Sequence, residues 1–246
     1  MAGRGSFIES FPLFGYNLDD YDALFAEKLD LLLAIRANAG PVWRGEHRAP
    51  LNGEGVYPRA LQDPLPVWIA SGGTPQSVAR AGALGLPLAI AIIGGEPARF
   101  APLAALYRQA ASRAGVQPGD LAIGVNGHGF LADTAGAAVE AFFAPYVEMM
   151  SRIGRERGWP PLTRAQFDMG RGPRGHLMVG TPDEAITKIL AQYEVFGHQR
   201  YLMQMAVGAQ PQSAILRSIE LFGTVVAPAV RAALAKRSTA SRMSAS

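Results

Sequence analysis

Apolar runs of strand length alternate with stretches of helical spacing along most of this chain, and that alternation predicts repeated βα units. Tyr21, Leu24, Phe25, Leu29, Leu32 and Ile35 recur at helical spacing. Short apolar runs at 66–70, 86–93, 121–131 and 200–207 read as buried strands, with helices over 75–84, 97–114, 134–152 and about 211–235. Thr181-Pro-Asp-Glu184 is a capping box with proline at the first helical position. Behind it Ala185, Ile186, Ile189, Leu190, Tyr193 and Phe196 form one apolar face. Residues 41–66 carry two β-like pieces, Pro41–Gly45 and Gly55–Pro58, and read as an excursion from the core. Residues 154–176 read as a loop too polar and glycine-rich to be core. Repeated βα means a parallel sheet flanked by helices. Shorter strand-like pieces stand at Ala2–Arg4 and Leu177–Gly180. Four convincing strands are fewer than a complete (β/α)₈ barrel of about 250 residues contains.

The segment Pro66-Val-Trp-Ile-Ala-Ser-Gly-Gly-Thr-Pro-Gln-Ser-Val78 carries the most chemistry. A strand runs into Gly72 and Gly73, which let the backbone turn sharply and approach a ligand. Thr74 is a good N-cap and Pro75 suits the first helical position. Free N–H groups and the positive helix end then converge on the loop, an arrangement that suits phosphate. An ordinary βα turn has the same ingredients, so the pattern leaves both readings open.

Composition narrows the class. The 246 residues are 49% hydrophobic and 17% charged with no cysteine, a globular composition without disulfide or thiolate chemistry. No signal peptide pattern opens the chain, and no apolar run reaches the length of a membrane helix, so the expectation is a cytoplasmic protein without a membrane partner. The net charge is only +3, and Arg231, Lys236, Arg237 and Arg242 place much of the basic character near the C-terminus. Elsewhere arginines mix with acids, which argues against nucleic acid. The expected organisation is one domain over 1–235 and a disordered tail over 236–246, rich in Ser, Thr and Ala.

Longer motifs carry a resemblance. Gly3-Arg-Gly-Ser-Phe-Ile-Glu-Ser-Phe-Pro-Leu-Phe-Gly15 resembles the segment after the fourth strand in the bacterial luciferase-like, flavin-dependent monooxygenases. Tyr57-Pro-Arg-Ala-Leu-Gln-Asp-Pro-Leu-Pro-Val-Trp-Ile-Ala70 is similar to that family's entry to its fifth strand, and Ser71-Gly-Gly-Thr-Pro-Gln-Ser77 to its phosphate loop. Gly85-Leu-Pro87, Gly180–Glu184 and the last strand–helix pair also fit, so the similarity spans about residues 1 to 232. The resemblance implies a partial (β/α)₈ TIM barrel that begins near the end of strand four, since family members carry three further βα units before this segment. Open sheet edges would then favour a homo-oligomer.

The same resemblance implies reduced FMN at the C-terminal strand ends, with the deazaflavin F420 as the alternative. It assigns the flavin phosphate to Arg4 and to Ser71, Gly72, Gly73 and Thr74. A guanidinium fork and loop N–H groups are suitable partners for a phosphate. The implied reaction is oxygenation of a small organic substrate by O₂, with a separate NAD(P)H:flavin reductase, because no nicotinamide fingerprint stands at a strand–helix junction. A non-catalytic flavin-binding protein and an unrelated TIM-barrel enzyme acting on a phosphorylated small molecule are the other readings.

Other candidate chemistry is sparse. Asn126 and His128 lie two apart on one strand and so share a face. They are the catalytic candidates if that face lines the barrel, and a satisfied polar pair if it does not. Gln204 in an apolar strand is a partner for the flavin ring or for a neighbouring strand. His47 lies in the excursion, His176 before a short strand, and His198 at a helix end where it would serve the dipole. No spacing of His, Asp or Glu suggests a metal site.

Overall fold

The structure, a computed structural model, describes residues 1–5 and 8–244. Ser6 and Phe7 of the N-terminal motif, and the last two residues of the expected tail, lie outside the described residues. The chain divides into two compact units, Met1–Ser71 and Gly72–Ser246.

The first unit holds a short helix α1 (Ser10–Leu13), the long helix α2 (Tyr21–Ala37), a two-stranded antiparallel ribbon of β1 (Val42–Trp43) and β2 (Leu51–Asn52), and β3 (Ile69–Ser71). Asn17 caps a 3₁₀ turn ahead of α2 by accepting the Asp19 N–H. The ribbon confirms an excursion over 41–66, but its second strand is Leu51–Asn52, not the stretch at Gly55–Pro58. Glu27 stitches this region to α2 by accepting the backbone N–H groups of Glu46 and His47. The strand-like piece at Ala2–Arg4 is present as a parallel bridge between Ala2 and Ile69, closed by Ala2 N–H to Trp68 O and Ala70 N–H to Ala2 O, each 2.7 Å.

The second unit is built of α3 (Pro75–Ala83), β4 (Leu88–Ile92), α4 (Ala101–Arg113), β5 (Ile123–Leu131), α5 (Ala135–Glu156), α6 (Arg164–Arg171), β6 (Met178–Gly180), α7 (Pro182–Phe196), β7 (Arg200–Gln204), α8 (Gln212–Leu221) and α9 (Ala227–Ser244). All its strand pairings are parallel and all run through β5. Leu88–Ile92 pairs with Ile123–Gly127, Arg200–Gln204 with Gly124–His128, and Met178–Gly180 with Gly129–Leu131. This is the parallel α/β arrangement that the alternation of apolar runs predicts. Helices cover the strands in two apolar clusters. Phe130, Phe142, Tyr146 and Phe167 lie in one; Leu131, Met178, Ala185, Ile189 and Leu221 lie in the other.

Three elements depart from expectation. First, α6 falls inside the stretch read as a loop and contributes buried Phe167 to the core. Its start is fixed by a capping box in which Thr163 and Gln166 satisfy each other's backbone N–H groups. Second, the last helix is broken at Phe222–Val226 by a π-helical turn between α8 and α9. Gln212–Arg237 is 26 residues long with a mean hydropathy of 1.4 in its most apolar window, long and apolar enough by length and composition to cross a membrane. That corrects the expectation that no such stretch exists, although Arg217, Glu220 and Arg231 interrupt it. Third, α9 continues to Ser244, through most of the span expected to be a disordered tail. Alanine, lysine and arginine there have high helix propensity, which the polar composition masked.

Lys188 of α7 shows how the α6 region is held. Its ammonium is buried and donates to the carbonyls of Arg171 at 3.2 Å, Gly172 at 2.9 Å and Leu177 at 2.6 Å. Burial lowers it to about 8, so it remains charged at neutral pH and serves the C-terminal end of α6. Lys188→Met should destabilise the protein by about 3 kcal/mol, because it leaves buried carbonyls without a donor. Urea denaturation measures this, and a change under about 0.5 kcal/mol, the range of an ordinary surface substitution, would mean that the amine does not pin the loop.

Candidate functional site

The glycine loop follows β3 directly. Ser71 is buried at the strand end, and Thr74 stands in extended conformation at the N-cap of α3 with Pro75 in its first turn. The two glycines differ in kind. Gly73 has φ +126°, a conformation that only glycine adopts readily, whereas a Cβ on Gly72 would meet nothing within 4 Å. Gly73 therefore makes the turn and Gly72 leaves its backbone open to approach. The nearest atom to a Cβ on Gly73 would be in the Phe100 ring at 3.9 Å.

Arg4 and Ser71 belong to the first unit. The Ala2–Ile69 bridge and the 3.2 Å approach of a Gly3 Cβ position to the Ala70 Cβ set a register that carries Arg4 to the level of Ser71. Both side chains thus stand at the C-terminal ends of parallel segments. The Arg4 side chain is only 18% exposed; it pairs with Asp22 and lies over the Tyr21 ring at 4.6 Å. The Tyr21 hydroxyl in turn donates to the Gly5 carbonyl at 2.7 Å. The first turn of α2 therefore holds the guanidinium in place.

The polar strand residues come together on β5 and β7. Asn126 is in register with Leu202, and His128 with Gln204. Residues in register on neighbouring parallel strands face the same way, so all three sequence candidates share one face. That face is not open at His128. Tyr146 of α5 packs edge-on against the imidazole, with 5.7 Å between centroids, and leaves it 7% exposed with Nδ1 unpartnered. Asn126 donates to the Leu202 carbonyl at 3.4 Å, a bond to the neighbouring strand. Gln204 is exposed at the strand end.

Charge is absent from the buried histidines. Burial pushes His128 and His198 down to about 4, and partial burial pushes His176 down to about 4 as well. His198 follows Gly197, which takes the left-handed conformation at the end of α7, and lies edge-on to Tyr193. At neutral pH it is therefore an uncharged ring packed in the fold, not the cation expected to serve the helix dipole. Among the described residues no group of three or more His, Cys, Asp or Glu side chains forms a metal site.

Residues 1–200 match the model of the luciferase-like monooxygenases. The chain belongs to that family. It is 25% identical over 249 residues to an uncharacterised protein, y4vJ, of Sinorhizobium fredii, covering 96% of this luciferase-like chain and 69% of that protein. Among solved structures, monooxygenase RslO1 of Streptomyces bottropensis is 25% identical with a TM-score of 0.75, over 92% of this chain and 67% of its own. The oxygenating constituent of 3,6-diketocamphane monooxygenase of Pseudomonas putida, in complex with FMN, gives 20% and 0.61 over 91% and 69%. An F420-dependent secondary alcohol dehydrogenase in complex with an F420–acetone adduct gives 17% and 0.69 over 93% and 68%. The last two likenesses are of fold. The family is one of enzymes, and the parallel strands described above are those of its α/β barrel. None of the motif resemblances is specific alone; the matched span holds both the glycine loop and the capping box at Thr181 and ends where β7 begins.

The histidines make stability depend on pH. Unfolded histidine titrates near 6.5 and the folded rings near 4, so the unfolded chain binds more protons between those values. Their contribution is fully present above about 6.5 and is lost as pH falls toward 4. Unfolding free energies at pH 7 and pH 5 should differ by about 1–3 kcal/mol per buried histidine, and His128→Phe should remove its share of that difference. An equal difference in the variant would mean that His128 is not buried in its neutral form.

Proposed function

We propose that this chain binds reduced FMN and uses O₂ to oxygenate a small organic substrate. The observation that carries the reading is the glycine loop, with Gly72 open and Gly73 in the turn conformation at the start of α3. The flavin phosphate takes N–H groups from Gly72, Gly73 and Thr74 and the hydroxyls of Ser71 and Thr74. Arg4, oriented by Asp22 and Tyr21, is the proposed guanidinium partner of a flavin phosphate. Flavin supplies the redox chemistry when bound; the protein positions it and excludes water. His128, beneath Tyr146, and Asn126, bonded to the Leu202 carbonyl, support the strand end, and Gln204, which is exposed, is the candidate to hydrogen-bond the flavin ring.

A separate NAD(P)H:flavin reductase completes the reading and places the protein in the cytoplasm with its supply of reduced flavin. F420 is the second cofactor, since its phosphate suits the same loop and one fold neighbour is named for it. The reading also includes self-association. Leu216, Ile219 and Val225 are exposed on the last helices, and among the described residues β7 pairs with β5 alone.

Gly72 gives the cleanest test. A Cβ there meets no protein atom, so Gly72→Val should leave the melting temperature nearly unchanged while lowering FMN affinity at least tenfold in a fluorescence titration. Affinity equal to the parent's would reduce the loop to a turn. Arg4→Ala removes a charge-assisted contact worth roughly 1.5–3 kcal/mol, about ten- to a hundredfold in affinity. The loss should be larger for FMN than for riboflavin, which has no phosphate. Equal losses for the two ligands would assign Arg4 to the ring or to folding.

A further inference from the structure

The last helices of the second unit have one face fixed and one face open. Leu221 and Val226 are buried in the cluster that holds Ala185 and Ile189 of α7. On the other side Leu216 is 55% exposed and Ile219 52%, and Glu220, Arg231, Ala232 and Ala235 are exposed with them. Two kinds of helical turn align these residues. Steps of three and four lead from Leu216 through Ile219 to Gly223, and again from Pro228 through Arg231 to Ala235, as one face of an α-helix requires. Between Gly223 and Pro228 the step is five, and it crosses the π-helical turn Phe222–Val226, whose hydrogen bonds reach five residues. The π turn thus keeps the open face of α8 in line with that of α9.

That face is complementary to its own reverse. In an antiparallel pair centred between Val225 and Val226, Leu216 of one copy meets Ala235 of the other, Ile219 meets Ala232, and Gly223 meets Pro228. Large side chains stand against small ones, which lets two helices interdigitate. A Cβ on Gly223 would meet nothing within 4 Å, so the centre of the face is open to approach. Charge matches as well. Glu220 and Asp133 both pair with Arg217, which leaves that cluster one negative charge in excess. Arg231 of the second copy falls opposite Glu220 and offsets it, and two-fold symmetry repeats the contact. A lipid bilayer suits the face less, although Gln212–Arg237 has the length and hydropathy for one. Lipid would have to bury Arg217 and Glu220 beside Leu216 and Ile219, at the cost of desolvating both charges.

We propose that two copies of this chain pair through this face as an antiparallel, two-fold dimer with the π turns at its centre. The proposal rests on the self-association included in the reading above and assigns it to a surface.

Sedimentation of the full chain at rising concentration gives its state, and paired thiols give the face. The chain has no cysteine, so introduced thiols are the only ones present. Leu216→Cys and Ala235→Cys, mixed in equal amounts and treated with a short bis-maleimide, should cross-link to each other. Neither should cross-link alone, because like thiols would lie roughly 28 Å apart along the paired helices. Arg231→Glu should weaken the dimer about five- to tenfold, since both symmetric contacts become repulsive, and adding Glu220→Arg should restore the parent affinity. All four positions are exposed, and sedimentation of the parent needs no variant. A chain that stays monomeric defeats both the self-association and this face; a monomer that floats with phosphatidylglycerol vesicles gives the face to lipid instead. A dimer defeats the antiparallel face alone, and leaves self-association standing, if like thiols link as readily as the mixed pair, if no pair links, or if the Arg231 charge has no effect.

Discussion

Every strand pairing within the second unit passes through β5, and that constraint organises what surrounds it. Ile123–Leu131 hydrogen-bonds three strands along nine residues. Eight of those nine residues are buried, so both faces must be filled by side chains from elsewhere. Close approach demands glycine at two of them. A Cβ at Gly129 would fall 2.7 Å from the Met203 sulfur and 2.8 Å from the Met178 Cβ, and one at Gly127 would fall 3.3 Å from the Tyr201 hydroxyl. With those positions bare, β6 and β7 close onto β5. Gln204 and His128 are thereby brought into register, although they are far apart in sequence.

The alternation along the same strand decides what the polar residues do. Phe130 and His128 point toward α5, with ring centroids 5.7 Å from Phe142 and from Tyr146 respectively. Leu131 points the other way, toward Ala185 and Ile189 of α7. The β5 backbone is finished at its end by Ser218, whose fully buried hydroxyl accepts the Leu131 N–H at 2.9 Å. Outside the core, Arg217 grips Asp133 and Glu220 at 2.7 Å each and ties α8 to the end of the strand. These are exposed pairs that contribute little energy but fix a direction.

What was legible in the sequence is local, and what was not is tertiary. The capping box at Thr181 and the apolar face behind it gave α7 because both signals lie within one helix. The turn glycine at 73 was legible for the same reason. Helix α6 was not, because its eight residues include only three apolar ones, Ala165, Phe167 and Met169, and its capping box at Thr163 lies in glycine-rich surroundings. Its stability comes from burying Phe167 against Phe143 and Tyr146, partners some twenty residues away. The shared face of Asn126 and His128 followed from strand period, but Gln204 joins it only through the pairing of β7 with β5, and the cover over His128 was not legible either. Only packing of α5 supplies the Tyr146 ring.

The loss of charge extends to two histidines that lie close together in the second unit. His128 and His176 lie near enough that each would oppose a proton on the other, and the Lys188 ammonium opposes one on His176 as well. Desolvation acts in the same direction and is the larger cause. A neutral imidazole neither attracts an anion nor repels a cation; it discriminates only by which ligand group donates and which accepts.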